Sequence, residues 1–244
     1  MKTKQLKLWL TLLLVVVWMN AQAAAGGGGS SNKIVVASDI HVMAPSLLLP
    51  GAETQEAWTT YYAGQRKMLQ QSAAIFDQFV ANVISQAPAA VFIAGDLTKD
   101  GETASHQYVR DGLITLQNNG IKAFVIPGNH DFGASGSPTQ FNADGTTETV
   151  DALVYSDFAT FYKGFGYGDA SSEYAPNSLS YMAEPIEGLV LLAIDSHTAS
   201  VSTEALAWLT DKAKAARNSG KQVIAMMHHP LFPHITGGDM YVAT

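Results

Sequence analysis

The chain has 244 residues, of which 47% are hydrophobic and 14% charged, and 21 acidic residues against 14 basic ones give it a formal charge of −7. It is long and apolar enough for one domain with a sizeable core, and its acidity argues against nucleic acid as a partner. The lack of cysteine excludes disulfides, thiolate metal sites and cysteine nucleophiles. Any metal must therefore be bound by His, Asp, Glu and Asn.

The first residues have the pattern of a secretory signal peptide. Three lysines precede an apolar stretch that is short for a membrane span, and the small residues at 21–23 fit a cleavage site. We therefore predict a signal peptide over 1–23, a flexible Gly/Ser linker over 24–32 and one domain over 33–244. The alternative is an uncleaved anchor. Cleavage predicts export to the periplasm or outside the cell, without stable membrane insertion.

Hydrophobic periodicity predicts alternating strands and helices along the rest of the chain. Short apolar runs indicate buried strands, and their alternation with amphipathic helices is typical of an α/β protein. The last helix has Ser202 or Thr203 as N-cap and Gly220 as its stop. The predicted strands are Lys33–Ser38, Ala90–Ala94, Lys122–Ile126, Ser178–Ala183, Leu189–Ile194 and Gln222–Met227, and the predicted helices are Gln65–Gln86, Thr103–Asn118 and Thr203–Ser219.

Two segments between these elements are rich in aromatic residues and look like insertions at the sheet edge. They are Pro45–Ala63 and Phe132–Asn177. Long connections of this kind often carry function. We expect most of their aromatic side chains to pack the segments onto the body of the domain, with one or two lining a pocket.

Polar residues of the types that bind metals follow four of the predicted strands. Ser38-Asp39-Ile40-His41 follows the first, Gly95-Asp96 the second, Gly128-Asn129-His130-Asp131 the third and His228-His229-Pro230 the last. The carboxyl ends of strands in an α/β sheet meet in one crevice, so residues far apart in sequence are expected to converge there.

Asp39, His41, Asp96, Asn129 and His228 are the candidate metal ligands. In an extended strand end, Asp39 and His41 at i and i+2 face the same side and offer one metal an oxygen and an imidazole. Asp96 can bridge to a second metal through its other oxygen, and Asn129 and His228 complete that site. Two cations about 3.5 to 4 Å apart clamp a phosphoryl group and lower the pKa of a bound water to about 7, which predicts hydrolysis by in-line attack.

His130 and Asp131 are the catalytic candidates. His130 adjoins a predicted ligand, and we expect it to stabilise charge on the phosphoryl group or on the departing alkoxide. Asp131 is expected to orient its imidazole.

Other polar residues have two open interpretations. Asp195, Ser196 and His197 follow an apolar run and either line the same crevice or lie at a solvated strand end. His229 either orients His228 or touches substrate, or it has a structural role. His106, on a predicted helix, is expected on the surface.

The motifs DxH, GD, GNHD and HHP, in this order and at these separations, resemble those of the calcineurin-like metallophosphoesterases. The resemblance covers nearly everything after the leader. It implies a four-layer α/β/β/α sandwich, two metal ions (Mn, Zn or Fe) and hydrolysis of a small phosphate mono- or diester, and it gives no oligomeric state. The ligands it implies are Asp39, His41, Asp96, Asn129 and His228, with His130 as the catalytic histidine.

The sequence departs from the family pattern in two places. Family members finish with a GHxH motif that completes the ligand sets, whereas this chain ends with Gly237–Thr244, and His234 or Asp239 is not expected to replace it. The sandwich is therefore predicted to be incomplete at the C-terminus, and the alternative function is a truncated or inactive member that binds metal or a phosphorylated ligand without turnover. Lys99 stands where purple acid phosphatases carry a tyrosine ligand, so tyrosinate-bound iron is not expected.

Overall fold

The structure is a computed structural model that describes residues 33–133 and 135–231, together with Met19–Asn20. The rest of the predicted signal peptide and the linker over 24–32 lie outside the described residues. The same holds for the chain after Leu231, which includes His234 and Asp239.

The first sheet contains four strands, three of which are predicted by their apolar runs. They lie in the order β1 (Met19–Asn20), β2 (Lys33–Ala37), β3 (Ala90–Ala94) and β4 (Lys122–Ile126). β2, β3 and β4 pair in parallel, and β1 pairs with β2 antiparallel. Parallel pairing brings the carboxyl ends of these three strands to the same edge of the sheet.

A small two-stranded sheet is formed by β5 (Thr139–Phe141) and β6 (Thr147–Thr149). The second large sheet has the order β10-β9-β8-β7, with β7 (Glu173–Tyr174), β8 (Tyr181–Ile186), β9 (Leu189–Ile194) and β10 (Gln222–Met227). β9 and β10 pair in parallel, so the sequences after Ile194 and Met227 leave the sheet side by side.

β8 starts three residues later than its apolar pattern predicts. Ser178 belongs to a turn in which its hydroxyl accepts from the backbone N–H of Ser180. The Ser180 hydroxyl in turn accepts from the backbone N–H of Asp195, at 2.9 Å. Because these serine hydroxyls hydrogen-bond to backbone groups, they favour a turn over a strand.

The three predicted helices are present, as α2 (Leu69–Gln86), α3 (Thr103–Asn118) and α5 (Thr203–Asn218). The first of these begins at Leu69, four residues after its predicted start. The Ser202 hydroxyl caps the last helix by accepting from the N–H of Ala205, at 3.1 Å. No helix in the described ranges is both long and apolar enough to cross a membrane. The other α-helices are α1 (Glu56–Ala63) and α4 (Phe158–Phe161).

The main core lies between the two large sheets and extends under α2 and α3. The residues of β9 alternate between this core and a second hydrophobic cluster. Leu189, Leu191 and Ala193 join the main core, whereas Val190 and Leu192 join a separate cluster with α5. Since successive strand residues face opposite sides, β9 has α5 on one face and the main core on the other. The fold is α/β with parallel strands in both sheets, and its four-layer order stays a prediction.

The two aromatic insertions are largely packed, as expected from their composition. Trp58 is 2% exposed and its ring stacks on that of Tyr62, with ring centroids 5.1 Å apart. Phe141 from β5 packs edge-on against Trp58. In the second insertion, Tyr162 and Tyr167 are buried in the main core. Most of these rings therefore pack the insertions onto the sheets.

Candidate metal centre

The turns after β2 and β3 bring together Asp39, His41 and Asp96. Three ligand atoms, one from each side chain, lie within 4.8 Å of one another. His41 Nε2 is 3.2 Å from Asp96 Oδ2 and 3.9 Å from Asp39 Oδ1. His41 and Asp96 are buried, whereas the Asp39 side chain is half exposed. The arrangement leaves one open side toward solvent.

The backbone that produces this convergence differs from the extended strand end predicted from the sequence. Asp39, His41 and Asp96 have φ values of 55°, 41° and 50°, in the left-handed region. The two turns are held together because the backbone N–H of His41 donates to the Asp96 carbonyl, at 2.9 Å. Left-handed backbone costs roughly 1 kcal/mol or more for a residue other than glycine, and such strain is concentrated at functional sites.

Asn129 and His228 lie on the other side of the Asp96 carboxylate. His228 Nε2 is 3.4 Å from Asp96 Oδ1 and 3.1 Å from Asn129 Oδ1. The Asn129 amide nitrogen donates to the Ser135 hydroxyl, which turns the amide oxygen toward His228. One oxygen of Asp96 therefore faces His41 and the other faces His228. The structure brings all five predicted ligands together in one cluster, which we call the Asp96 cluster.

The hydrogen bonds of the two imidazoles fix which nitrogen carries a lone pair. His41 Nδ1 lies 3.2 Å from the carbonyl of Thr98, and His228 Nδ1 lies 3.0 Å from the carbonyl of Ala94. A carbonyl only accepts, so each Nδ1 carries a hydrogen, and in a neutral imidazole the Nε2 that faces Asp96 then has the lone pair that a cation needs. Acceptor atoms that face one another at 3.1 to 3.4 Å repel unless a cation lies among them. Hydrogen-bonded imidazoles of this kind are typical of metal ligands.

Electrostatics agrees with this geometry. Burial, with the neighbouring charges of Lys67 and His130, lowers the pKa of His41 to about 2 and keeps it neutral. Burial also raises the pKa of Asp96, although His228 and the His130 N–H oppose the shift. A neutral imidazole and a carboxylate that is poorly solvated are both suited to bind a cation. The described residues thus fit a metal centre of mixed oxygen and nitrogen donors.

His130 contacts a different carboxylate from the one predicted. Its Nδ1 lies 2.9 Å from Asp100 Oδ1, while its backbone N–H donates to Asp96 Oδ1 at 2.9 Å. Asp131 was expected to orient this imidazole, and the structure contradicts that contact. The reason is local geometry: Asn129–Phe132 form a 3-10 turn, and adjacent residues of a helical turn do not face each other.

Asp131 instead fastens two turns of the backbone. Its carboxylate is completely buried and accepts from the backbone N–H groups of Gly128, Leu97 and Thr98, at 2.8, 3.2 and 3.0 Å. The Thr98 hydroxyl donates to it as well. Burial raises the pKa of Asp131, and these donors oppose that shift. Its observed role is to hold the turns that carry Asp96 and Asn129 in register.

Asp100 and Lys67 complete the surroundings of His130 and were not singled out from the sequence. Burial would raise the pKa of Asp100, but His130 and Lys99 lower it below its usual value. Lys67 Nζ lies 3.1 Å from His130 Nε2. Asp100 follows the GD motif by only four residues and could have been considered. Lys67 lies in the connection from α1 to α2, and no sequence signal marks it.

Lys99 is one of the least exposed residues of the chain. Its Nζ donates to Asp100 Oδ2 at 2.8 Å and to Glu102 Oε1 at 2.7 Å, and the Tyr61 ring lies 5.3 Å from it. Burial lowers the pKa of Lys99, but Glu102 and Asp100 outweigh it and raise the pKa overall. The position that carries a tyrosine ligand in purple acid phosphatases is here a lysine that supports the carboxylate behind His130.

The remaining polar candidates have structural contacts. Asp195 is buried and accepts from the Tyr155 hydroxyl and from His197 Nδ1, each at 2.7 Å. His229 Nδ1 donates to the Ser196 carbonyl at 2.6 Å, which joins the ends of β9 and β10. These contacts favour a structural role for His229 and tie the second insertion to the sheet through Tyr155.

His106 is completely buried, so the prediction that it lies on the surface was wrong. Its Nε2 donates to the Asp131 carbonyl at 2.9 Å, and its Nδ1 accepts from the Tyr162 hydroxyl at 2.8 Å. The second insertion covers this face of α3, which the helical pattern alone did not reveal.

Comparison with known proteins identifies a family and a protein of similar fold. A family model described as calcineurin-like phosphoesterase matches residues 32–242. Among the solved structures that match, one is a dimetal phosphatase from Danio rerio, with 13% sequence identity and a TM-score of 0.51, covering 82% of this chain and 70% of that chain. At this identity the likeness shows the fold alone. No curated protein sequence matches the chain.

Proposed function

The chain belongs to the calcineurin-like phosphoesterase family, and on that premise we propose that it hydrolyses small phosphate mono- or diesters with two metal ions bound at the Asp96 cluster. The observation that carries the proposal is the position of the Asp96 carboxylate. One of its oxygens is 3.2 Å from His41 Nε2 and the other is 3.4 Å from His228 Nε2. A carboxylate with two nitrogen donors on opposite sides suits a bridge between two cations.

Each half of the cluster has its own donors. Asp39 and His41 would bind one ion with Asp96, and Asn129 and His228 would bind the other. Imidazole nitrogen with carboxylate and amide oxygen suits Mn, Zn or Fe. When bound, two such ions polarise a phosphoryl group and acidify the attacking water.

His130 is assigned to charge stabilisation on the substrate. Its imidazole side chain is 20% exposed, and Nδ1 is held by Asp100, so Nε2 is the nitrogen that can face a substrate oxygen. Hydrolysis forms a bond from water oxygen to phosphorus and breaks the ester bond, and the leaving oxygen must take a proton. His130 Nε2 is placed to stabilise or protonate that oxygen.

The carboxylate behind His130 is held in turn by other side chains. Lys99 donates to Asp100 Oδ2 at 2.8 Å, and the Tyr61 hydroxyl approaches the same oxygen at 3.3 Å. Asp100 is therefore fixed as an acceptor for His130 Nδ1. We assign Asp100 as the residue that positions His130, in place of Asp131.

The place of action follows from the predicted leader. We propose that the chain is exported to the periplasm or the outside of the cell after cleavage of residues 1–23, which would remove β1 from the edge of the first sheet. Detection of the mature N-terminus by mass spectrometry, after expression of the whole chain, tests this: an intact leader on the protein would contradict export by cleavage.

Activity is tested on the metal-stripped chain with Mn²⁺, Zn²⁺ or Fe²⁺ added back, using an aryl phosphomonoester and an aryl phosphodiester. We expect turnover that requires metal and falls by about 100-fold or more in His130→Ala and Asp96→Asn, because each removes a direct contribution to the transition state. Asp100→Asn is expected to reduce kcat with little change in metal affinity. Asp111→Asn, an exposed carboxylate on α3, is the matched control.

The outcomes separate the candidate functions. Metal-dependent turnover that is lost in His130→Ala and Asp96→Asn, reduced in Asp100→Asn and kept in Asp111→Asn supports an esterase. Metal binding without turnover of either ester would instead indicate a protein that binds a phosphorylated ligand.

A further inference from the structure

A lysine from outside the four motifs reaches the candidate active site. Lys67 lies in the short connection between α1 and α2, and its Nζ is 3.1 Å from His130 Nε2 and 3.3 Å from Nδ1. His130 Nδ1 is engaged by Asp100, so the ammonium lies beside the other ring nitrogen, Nε2. The ammonium therefore lies at the ring nitrogen that faces the substrate.

The connection that carries Lys67 is anchored at its two ends. Leu69, two residues later, is 1% exposed and packs with Trp58 in the core of the first insertion. On the α1 side, the Tyr61 hydroxyl is 3.3 Å from Asp100. The fold of the first insertion therefore brings the Lys67 side chain close to His130.

Charge indicates what this ammonium binds. It is partly buried and lies within electrostatic reach of Asp100, Asp96 and Asp39. Once cations share the charge of Asp96 and Asp39, Asp100 remains. Its two oxygens already pair with His130 and Lys99, so a further anion beside the ammonium is favourable. A phosphoryl oxygen of the substrate is such an anion.

Other cationic side chains are directed elsewhere. Arg110 donates to the carbonyl of Phe161, and Lys99 is paired with Asp100 and Glu102. Arg66 adjoins Lys67 but is exposed, and no hydrogen bond or ion pair of its side chain is found within the described ranges.

We propose that Lys67 binds a non-bridging oxygen of the substrate's terminal phosphoryl group beside His130, and thereby favours phosphomonoesters over phosphodiesters. The inference rests on the proposed function. Near neutral pH a phosphomonoester carries a charge close to −2, whereas a diester carries −1 and has one terminal oxygen fewer. An added monocation at the phosphoryl position therefore stabilises bound monoester more than bound diester.

The first test measures binding of inorganic phosphate to the Mn²⁺-loaded protein by calorimetry and does not depend on turnover. Lys67→Met is expected to weaken phosphate binding by about tenfold or more, the effect of losing one charge-assisted hydrogen bond. Lys67→Arg should restore most of the affinity, and Arg66→Met, a neighbouring change of equal charge, should leave it unchanged. Unaltered phosphate affinity in Lys67→Met, or no phosphate binding by the wild-type protein, would overturn the proposal.

A second measurement separates substrate binding from structural damage. Lys67→Met removes a positive charge near the carboxylates, so it should bind Mn²⁺ at least as tightly as the wild-type protein. A general distortion of the site would instead weaken Mn²⁺ and phosphate binding together, which would contradict a direct contact.

The third measurement addresses the substrate class. The ratio of kcat/KM for an aryl phosphomonoester to that for a diester should fall by about tenfold in Lys67→Met. Equal losses on both esters would overturn the preference for monoesters. If the wild-type protein hydrolyses neither ester, the proposed function fails, while the phosphate titration still decides whether Lys67 binds the anion.

Discussion

Asp96 is 3% exposed, and its two oxygens face Nε2 of His41 and Nε2 of His228, both of which are acceptors when the imidazoles are neutral. Without a cation this is an unfavourable contact in a site of low solvation, and burial raises the pKa of the carboxyl accordingly. The cluster therefore destabilises the metal-free protein while it favours metal binding, as functional sites often do.

This conflict predicts opposite effects of Asp96→Asn with and without metal. In chelator, the variant should be at least as stable as the wild-type protein, because the amide oxygen can keep the His130 N–H while the amide nitrogen donates to His41 Nε2. With Mn²⁺ added, the variant should gain no stability. Urea unfolding in both buffers measures this, with Asp111→Asn as control. A loss above about 1 kcal/mol in chelator would show that the carboxylate is favourable without metal.

His106 gives a prediction about pH. Burial lowers its pKa to about 4, below the value near 6.5 expected in the unfolded chain. The unfolded chain then binds more protons between these values, so stability is complete above about pH 7 and is lost as pH falls through 6.5 toward 4.

The variant His106→Gln should remove this part of the pH dependence. Between pH 7.5 and pH 5, the wild-type unfolding free energy in chelator should fall by about 2 kcal/mol more than that of the variant. Urea unfolding at both pH values measures the difference. Parallel losses in the two proteins would show that His106 is not the titrating group.

At the scale of elements, the turns after β3 and β4 approach one another through glycine. A Cβ on Gly128 would lie 2.3 Å from Asp96 Oδ1 and 2.4 Å from the Asp96 backbone nitrogen. Glycine is therefore required before Asn129 for steric reasons, since any larger residue at position 128 would push Asp96 away.

Gly128→Ala is therefore expected to weaken Mn²⁺ binding by at least about tenfold and to lower the unfolding free energy by roughly 1–3 kcal/mol, the range for overpacked sites. Calorimetry and urea unfolding provide the two numbers. Gly64→Ala serves as control, because a Cβ there would have its nearest neighbour at 3.5 Å. Wild-type Mn²⁺ affinity in Gly128→Ala would contradict the close approach.

For the whole molecule, the candidate ligands come from both large sheets. Asp39, His41, Asp96 and Asn129 follow strands of the first sheet, and His228 follows β10 of the second. Binding of metal at the Asp96 cluster would therefore link the sheets at their carboxyl edge, in addition to the shared core. Ligand binding to the native state alone stabilises a protein by mass action.

We expect Mn²⁺ at a thousand times its dissociation constant to raise the unfolding free energy by about 4 kcal/mol. His228→Ala should lose more than half of this gain at the same metal concentration, since it removes the donor from the second sheet. Urea unfolding with Mn²⁺ and with chelator gives both values. A full metal-dependent gain in His228→Ala would argue against a site that spans the sheets.

The sequence by itself determined the order of the six main strands and three long helices and the residue types at the strand ends. Ala90–Ala94, Lys122–Ile126 and Gln222–Met227 are strands with the predicted bounds, because an apolar run between polar turns is a local signal. The convergence of the four candidate ligands that follow strands of the first sheet also followed, since parallel strands bring their carboxyl ends together. The meeting of His228 with them depends on how the two sheets pack. The role of all five as metal ligands stays a prediction.

Only the tertiary structure decided which side chains meet across the insertions. Lys67 and His130 are 63 residues apart, and Asp100 and His130 are 30 apart. His106 is buried because the second insertion covers it. Such contacts depend on the way in which the long connections fold over the sheets. They join segments that are far apart in the chain, and no local sequence pattern relates one segment to the other. The physical reason is that periodicity reports which face of an element is buried, whereas the partner on that face is set by packing in three dimensions.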